Sequence, residues 1–180
     1  MIMNNYAWQN IQRRIKNIKN PVGAEIGVHR GDFSRRLLDN IPNLKLYMID
    51  AWSSDTYKNL EHPEESASLN KIEIYHNWHE NFKSAFSCMT EYPGHAFVMR
   101  GMSYDMSFMF DAGFFDFVWL DANHDECNVG LDILVWERTV KKGGYICGHD
   151  YGVFPGVKNA VDEIFPDAEI DSDFTWFKQI

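Results

Sequence analysis

The sequence predicts an α/β fold, a mostly parallel central sheet with helices on both faces. Three observations predict it. Short apolar runs at 22–28, 44–49, 96–99, 114–120 and 145–147 alternate with stretches of helical period. The run at 114–120 is nearly all apolar, as a central parallel strand covered on both faces must be. The segment Glu25-Ile26-Gly27-Val28-His29-Arg30-Gly31 joins the first strand to a helix through a glycine-rich turn. In open α/β sheets ligands bind at such turns, where glycine lets the backbone come close.

The elements follow in order. Residues 4–19 read as an amphipathic helix with Trp8, Ile11, Ile15 and Ile18 on one stripe, ended by Asn20-Pro21. After the first strand, Asp32 is expected to cap a helix carrying Phe33, Leu37, Leu38 and Ile41. The second strand, 44–49, ends in Asp50, and the polar stretch 51–70 reads as a loop able to act as a lid. A helix over 69–90, the third strand at 96–99 and the fourth at 114–120 come next. A helix over 126–140 carries Val129, Ile133, Leu134 and Trp136 and is expected to stop at Lys141-Lys142-Gly143-Gly144. A fifth strand at 145–147, a helix at 157–165 and strands at 168–170 and 175–179 complete the sheet.

The 180 residues suit one domain, taken as 1–180, and 45% hydrophobic content is enough for a packed core. A net charge of -9 without an extended basic face argues against a nucleic-acid partner. Three widely spaced cysteines argue against a disulfide framework, and no apolar run suggests a signal peptide or membrane span. A cytoplasmic protein is therefore expected, with no membrane partner.

Glu25-Ile26-Gly27-x-x-x-Gly31 lacks the G-x-G-x-x-G of dinucleotide binders. It resembles the first motif of class I S-adenosylmethionine (SAM) methyltransferases, E/D-x-G-x-x-x-G, which have a Rossmann-like fold. The resemblance implies that Glu25 lies under the methionine amino group and that Gly27 and Gly31 line the cofactor. Asp50 stands about 20 residues past the glycine turn, where a carboxylate at the end of the second strand accepts from ribose hydroxyls. The family uses an acidic residue there for the SAM ribose, and Ala51 and Trp52 would flank the adenine. In the G-x-S turn Gly101-Met102-Ser103, the resemblance has Met102 pack on the adenine ring and Ser103 donate to it.

Polar groups gather again at the ends of the fourth and fifth strands, in Asp121-Ala122-Asn123-His124 and His149-Asp150-Tyr151. Adjacent parallel strands lie about 4.8 Å apart, so Asp121, His149 and Asp150 can converge there. Two carboxylates and an imidazole suit a divalent cation: the oxygen ligands favour magnesium, calcium or manganese and the imidazole tilts towards manganese, iron or zinc, and such a cation would lower the pKa of a bound hydroxyl. The stretches Leu120-Asp121-Ala122-Asn123-His124, Val140-Lys141-Lys142-Gly143-Gly144, His149-Asp150-Tyr151 and Gly156-Val157-Lys158-Asn159-Ala160-Val161 resemble a methyltransferase group related to macrocin-type sugar O-methyltransferases and cephalosporin-hydroxylase-type proteins. Metal-binding relatives place an aspartate after strand four and an acidic pair after strand five. Asp121 and Asp150 match, and His149 departs. Asn123 occupies the position of the aspartate that serves as base in some relatives and cannot take a proton, so His124 is the candidate base, beside Asp121.

The resulting expectation is a SAM-dependent methyltransferase acting on the oxygen of a small hydroxylated acceptor such as a saccharide, with Mg or Mn assistance. A non-catalytic SAM-fold accessory protein of the cephalosporin-hydroxylase type is the alternative. The N-terminal helix leaves a homo-oligomer open, since it can dock on a partner or on its own sheet.

Overall fold

The computed structural model describes residues 6–53 and 71–180, the side chains of 71–77 excepted. The lid expected within 51–70 lies almost wholly outside these residues. In chain order the elements are α1 (Ala7–Ile15), β1 (Val22–Ile26), α2 (Asp32–Asn40), β2 (Lys45–Asp50), α3 (Lys71–Glu91), β3 (Ala96–Arg100), α4 (Ser103–Ser107), β4 (Phe115–Leu120), α5 (Glu126–Glu137), β5 (Val140–Gly148), α6 (Pro155–Ile164), β6 (Glu169–Ile170) and β7 (Trp176–Gln179).

The strands form one sheet in the order β3-β2-β1-β4-β5-β7-β6. The first five are parallel, and β7 runs antiparallel to β5 and to β6. β1 and β4 lie at the centre and are covered on both faces, which is why every residue of β4 is buried. One face holds a core of Ile11, Ile15, Leu37, Met48, Phe117 and Trp119 under α1, α2 and α3. The other holds Ile26, Val118, Ile133, Trp136, Val157 and Val161 under α5 and α6. The result is a three-layer α/β/α arrangement, the Rossmann-like fold expected.

Helix α1 docks on its own sheet. Ala7, Ile11 and Ile15 are fully buried, and burying each isoleucine contributes about 1.5–3 kcal/mol. Arg14 lies 3.7 Å over the Phe177 ring and pairs with Asp171 at 2.9 Å and Glu169 at 2.8 Å. Among the described residues no helix is long and apolar enough to cross a membrane.

Three local expectations are corrected. Asp32 does not cap α2: Gly31 takes that position in a left-handed conformation, φ 80°, and Asp32 is the first helical residue. Helix α5 ends at Glu137, and Lys141-Lys142-Gly143-Gly144 lies within β5, whose pairing with β4 shifts register between Phe115 and Phe117. Leu134, expected on the buried stripe of α5, is 60% exposed.

Candidate active site

The carboxyl ends of the five parallel strands are tied into one row. The Gly101 amide donates to Asp50 O (3.0 Å), Gly27 to Ile49 O (2.9 Å), Asp121 to Ile26 O (2.8 Å) and His149 to Leu120 O (3.3 Å). Asp50, Gly27, Asp121 and His149 therefore stand side by side where the strand order reverses direction, the position at which such sheets bind ligands. A cavity of about 320 Å³ opens over this row, lined by Gly27, Asp50, Ala51, Met102, Asp121 and Asp132 among others.

Gly27 is required here. Its φ is +93°, and a Cβ would stand 2.2 Å from the Asp121 carbonyl oxygen. Asp50 fastens the two loops beside it: its Oδ2 accepts from the His29 amide (2.9 Å) and its Oδ1 from the Trp52 amide (2.8 Å). A carboxylate has about four acceptor sites, so two remain for a ligand. Ala51 and Met102 stand in the cavity wall.

Other expected cofactor residues stand behind this wall. Trp52 is buried in the core, 5.1 Å from the Phe82 ring, and its indole donates to His29 O at 2.7 Å. Glu25 is buried beneath the turn and accepts from the Ser34 hydroxyl at 2.5 Å. Burial lifts its carboxyl well above the usual range, against the Ser34 hydrogen bond. Gly31 faces α3, where an added Cβ would press on Ala85 and Cys88. These three act through the turn they support.

A charged cluster closes the row. Ligand atoms of Asp121, His124 and Asp150 lie within 4.8 Å of one another. The expected trio of Asp121, His149 and Asp150 is thus regrouped, with His124 in place of His149. His149 Nδ1 instead lies 2.8 Å from Asp150 Oδ1, and His124 Nε2 lies 2.9 Å from Asp150 Oδ2 without hydrogen-bond alignment. Asp150 takes a left-handed φ of 64°, a conformation costly for a residue with a Cβ, which suits a side chain held from both sides. Burial alone would raise its carboxyl, but the two imidazoles hold it well below the usual range. The Asp150 contact raises His124 above an ordinary histidine. For His149 burial works the other way, and Asp150 and Asp121 still raise it. Asp121 is pushed up to about 6, chiefly by burial, with the two imidazoles opposing and Asp150 reinforcing. The His124 ring is stacked on Phe154 at 4.2 Å, which fixes its plane.

Sequence reasoning missed Asp132. This α5 residue is only 8% exposed, lines the cavity, and accepts from Ser103 Oγ at 2.5 Å. Burial pushes its carboxyl up to about 6, with the Ser103 hydrogen bond opposing. The available signal was its spacing: Asp132 falls three residues after Val129 and four before Trp136, on the apolar stripe. Asn123 is committed to the backbone, its Oδ1 accepting from the Asp125 amide at 2.9 Å, and Asp125 caps α5 by accepting from the Asn128 amide at 3.0 Å.

Several solved structures share this architecture. The O-methyltransferase NovP is 18% identical, covers 96% of this chain and 78% of its own, and has a TM-score of 0.63. Aeropyrum pernix fibrillarin, solved with natively bound S-adenosyl-L-methionine, is 9% identical, with coverage of 88% and 66% and a TM-score of 0.57. Thermotoga maritima spermidine synthase is 13% identical, with coverage of 89% and 52% and a TM-score of 0.55, so this chain spans about half its length. At these identities the likeness is one of fold. No curated protein matches the chain. A family model described as a methyltransferase domain matches residues 24–151, from the first strand through Asp150 and Tyr151. With well over half the chain matched, including the whole row of strand ends that forms the cavity, this protein belongs to the methyltransferase domain family.

Proposed function

We propose that the protein is a SAM-dependent O-methyltransferase that acts on a small polyhydroxylated acceptor, a saccharide or glycoside. The observation that carries this reading is the single cavity joining Asp50 to Asp121 at the edge of the His124–Asp150 cluster. Asp50 offers acceptors for ribose hydroxyls, Gly27 permits close backbone approach, and the polar cluster suits a hydroxylated acceptor.

When bound, SAM supplies a methyl group made electrophilic by its sulfonium. The chain's own part is to align an acceptor hydroxyl with that methyl and to take the proton. The acceptor oxygen forms the new O–C bond as the C–S bond breaks, and the electron pair of that bond stays on the neutral thioether sulfur. His124 is the proton acceptor: Asp150 faces its Nε2 and favours a proton there, which leaves Nδ1 to accept. His149 holds Asp150 from the far side. Much of the rate would come from positioning, as expected for an in-line displacement between two held groups.

A metal-assisted form is supported by the same trio. Asp121, His124 and Asp150 fit a divalent cation such as Mn or Mg by donor type and spacing. Those three residues would hold it, and it would supply a lowered pKa for the acceptor hydroxyl.

Transfer of labelled methyl from SAM to a panel of glycosides, across pH and with or without EDTA, tests the proposal. With His124 as base, the rate rises through a pKa above about 6.5, resists EDTA, and falls by about 10²- to 10⁴-fold in His124→Gln. Loss with EDTA and recovery with manganese assigns His124 to the metal instead. Absence of transfer to every hydroxylated acceptor, despite SAM binding, contradicts O-methylation and favours the accessory-protein reading.

A further inference from the structure

Helix α5 is apolar all round. Val129, Ile133 and Trp136 are buried in the core, while Cys127, Leu131 and Leu134 lie exposed on the opposite face. A helix with apolar residues on every side is ordinarily one covered on every side. Helix α4 and the residues beside it continue the open face with Met102, Tyr104, Phe108 and Met109, all of them about half exposed or more. The face is continuous. The Tyr104 and Phe108 rings touch at 5.1 Å, Arg138 reaches from the end of α5 to lie 5.4 Å over Phe108, and Met102, Tyr104 and Leu131 meet at the mouth of the cavity. At roughly 200 Å² for a free side chain of this size, the six large residues leave about 600–700 Å² of largely apolar surface open. That exceeds the about 300–600 Å² of the largest patch on an ordinary monomer and approaches the about 800 Å² that each partner gives to a standard interface.

We propose that this face is covered by the same face of a second copy of the chain, in a two-fold dimer packed through α4 and α5. A two-fold axis lets one patch serve as both halves of an interface, so the open area on a single copy suffices. The charges on the face are few and of both signs, Asp105 and Asp111 against Arg138, so it can meet its own copy without like-charge repulsion although the whole chain carries -9. A nucleic acid or a polybasic peptide would need a face of one sign here. Helix α1, the element from which an oligomer was expected, is already used, with Ala7, Ile11 and Ile15 buried on its own sheet. The dimer also accounts for Leu134, which follows the apolar pattern of α5 yet stands open in the single chain. Because Met102, Tyr104 and Leu131 belong both to this face and to the cavity wall, the second copy stands at the cavity's mouth. None of this depends on which cofactor the cavity takes.

The test is sedimentation velocity of the full chain at about 1–100 μM, with reducing agent present because Cys127 lies on the same face. The wild type should sediment at twice the 21.0 kDa mass of the chain. Leu134→Glu and Phe108→Glu each place a carboxylate at an exposed position of the face. Each should raise the dimer dissociation constant by about 100-fold or more, since the axis counts every substitution twice. Phe86→Glu, at a 51% exposed phenylalanine of α3, should leave the dimer intact. Circular dichroism melts check that the variants fold. A wild type that stays at 21.0 kDa up to about 100 μM overturns the proposal. So does a dimer that persists in both folded variants, or one that Phe86→Glu breaks equally, since either result puts the contact elsewhere.

Discussion

Asp121 and Asp132 each carry a carboxyl pushed up to about 6, first of all because burial penalises the charged form. Unfolded, each titrates near about 4. The folded protein thus binds these protons more tightly than the unfolded chain. Stability from this source is full below about pH 4 and is lost as pH rises through about 6. For Asp132 the loss between pH 4 and pH 8 is about 2–3 kcal/mol. Asp132→Asn removes the charge while keeping an acceptor for Ser103. Urea unfolding should show the variant gaining on the wild type by about that amount between pH 4 and pH 8. An equal difference at the two pH values would mean that the carboxyl is not held in a desolvated wall. The His124–Asp150 pair acts with the same sign at its histidine. The raised His124 contributes stability that is present below about pH 6.5 and is lost as pH rises through its folded pKa.

At the scale of the elements, the β1–α2 turn is the tightest joint. Gly27 and Gly94 both have positive φ, +93° and +78°, but a Cβ on Gly27 meets the Asp121 carbonyl at 2.2 Å, whereas one on Gly94 meets nothing within 4 Å. Gly94→Ala should cost only the conformational penalty, about 1–2 kcal/mol. Gly27→Ala should cost more and disturb the cavity, and thermal melts of the two variants provide the check. Equal losses would contradict the close approach of β1 and β4. Most elements were legible because apolar period reports burial directly: β4 reads as a core strand, and α1 shows its buried stripe. What was illegible depends on contacts distant in sequence. The five-residue α4 is too short to show a period. Lys141-Lys142-Gly143-Gly144 looks like a helix stop, yet pairing with β4 draws it into β5. Gly31, not Asp32, begins α2 because the turn needs a left-handed residue there.

The whole molecule places its site where strand order reverses, between β1 and β4, and the rest of the fold holds that row level. The glycine-turn motif singled out Gly27 and strand-end position singled out Asp50 and Asp121, and the structure brings the three to one cavity. The partner of Asp150 was not legible. His149 directly follows β5 and His124 lies in the loop after β4, and only the fold decides that His124 joins the trio while His149 braces Asp150. Trp52 was drawn into the core by Phe82, which comes from a helix 30 residues further along the chain. The central claim is that this row is a cofactor site, and calorimetric titration of SAM into wild type and Asp50→Ala tests it most directly. Binding is expected in the micromolar range for the wild type and about tenfold or more weaker in the variant, because the ribose loses its carboxylate acceptor. Undetectable binding to the folded wild type, or equal affinity in the two proteins, would contradict it.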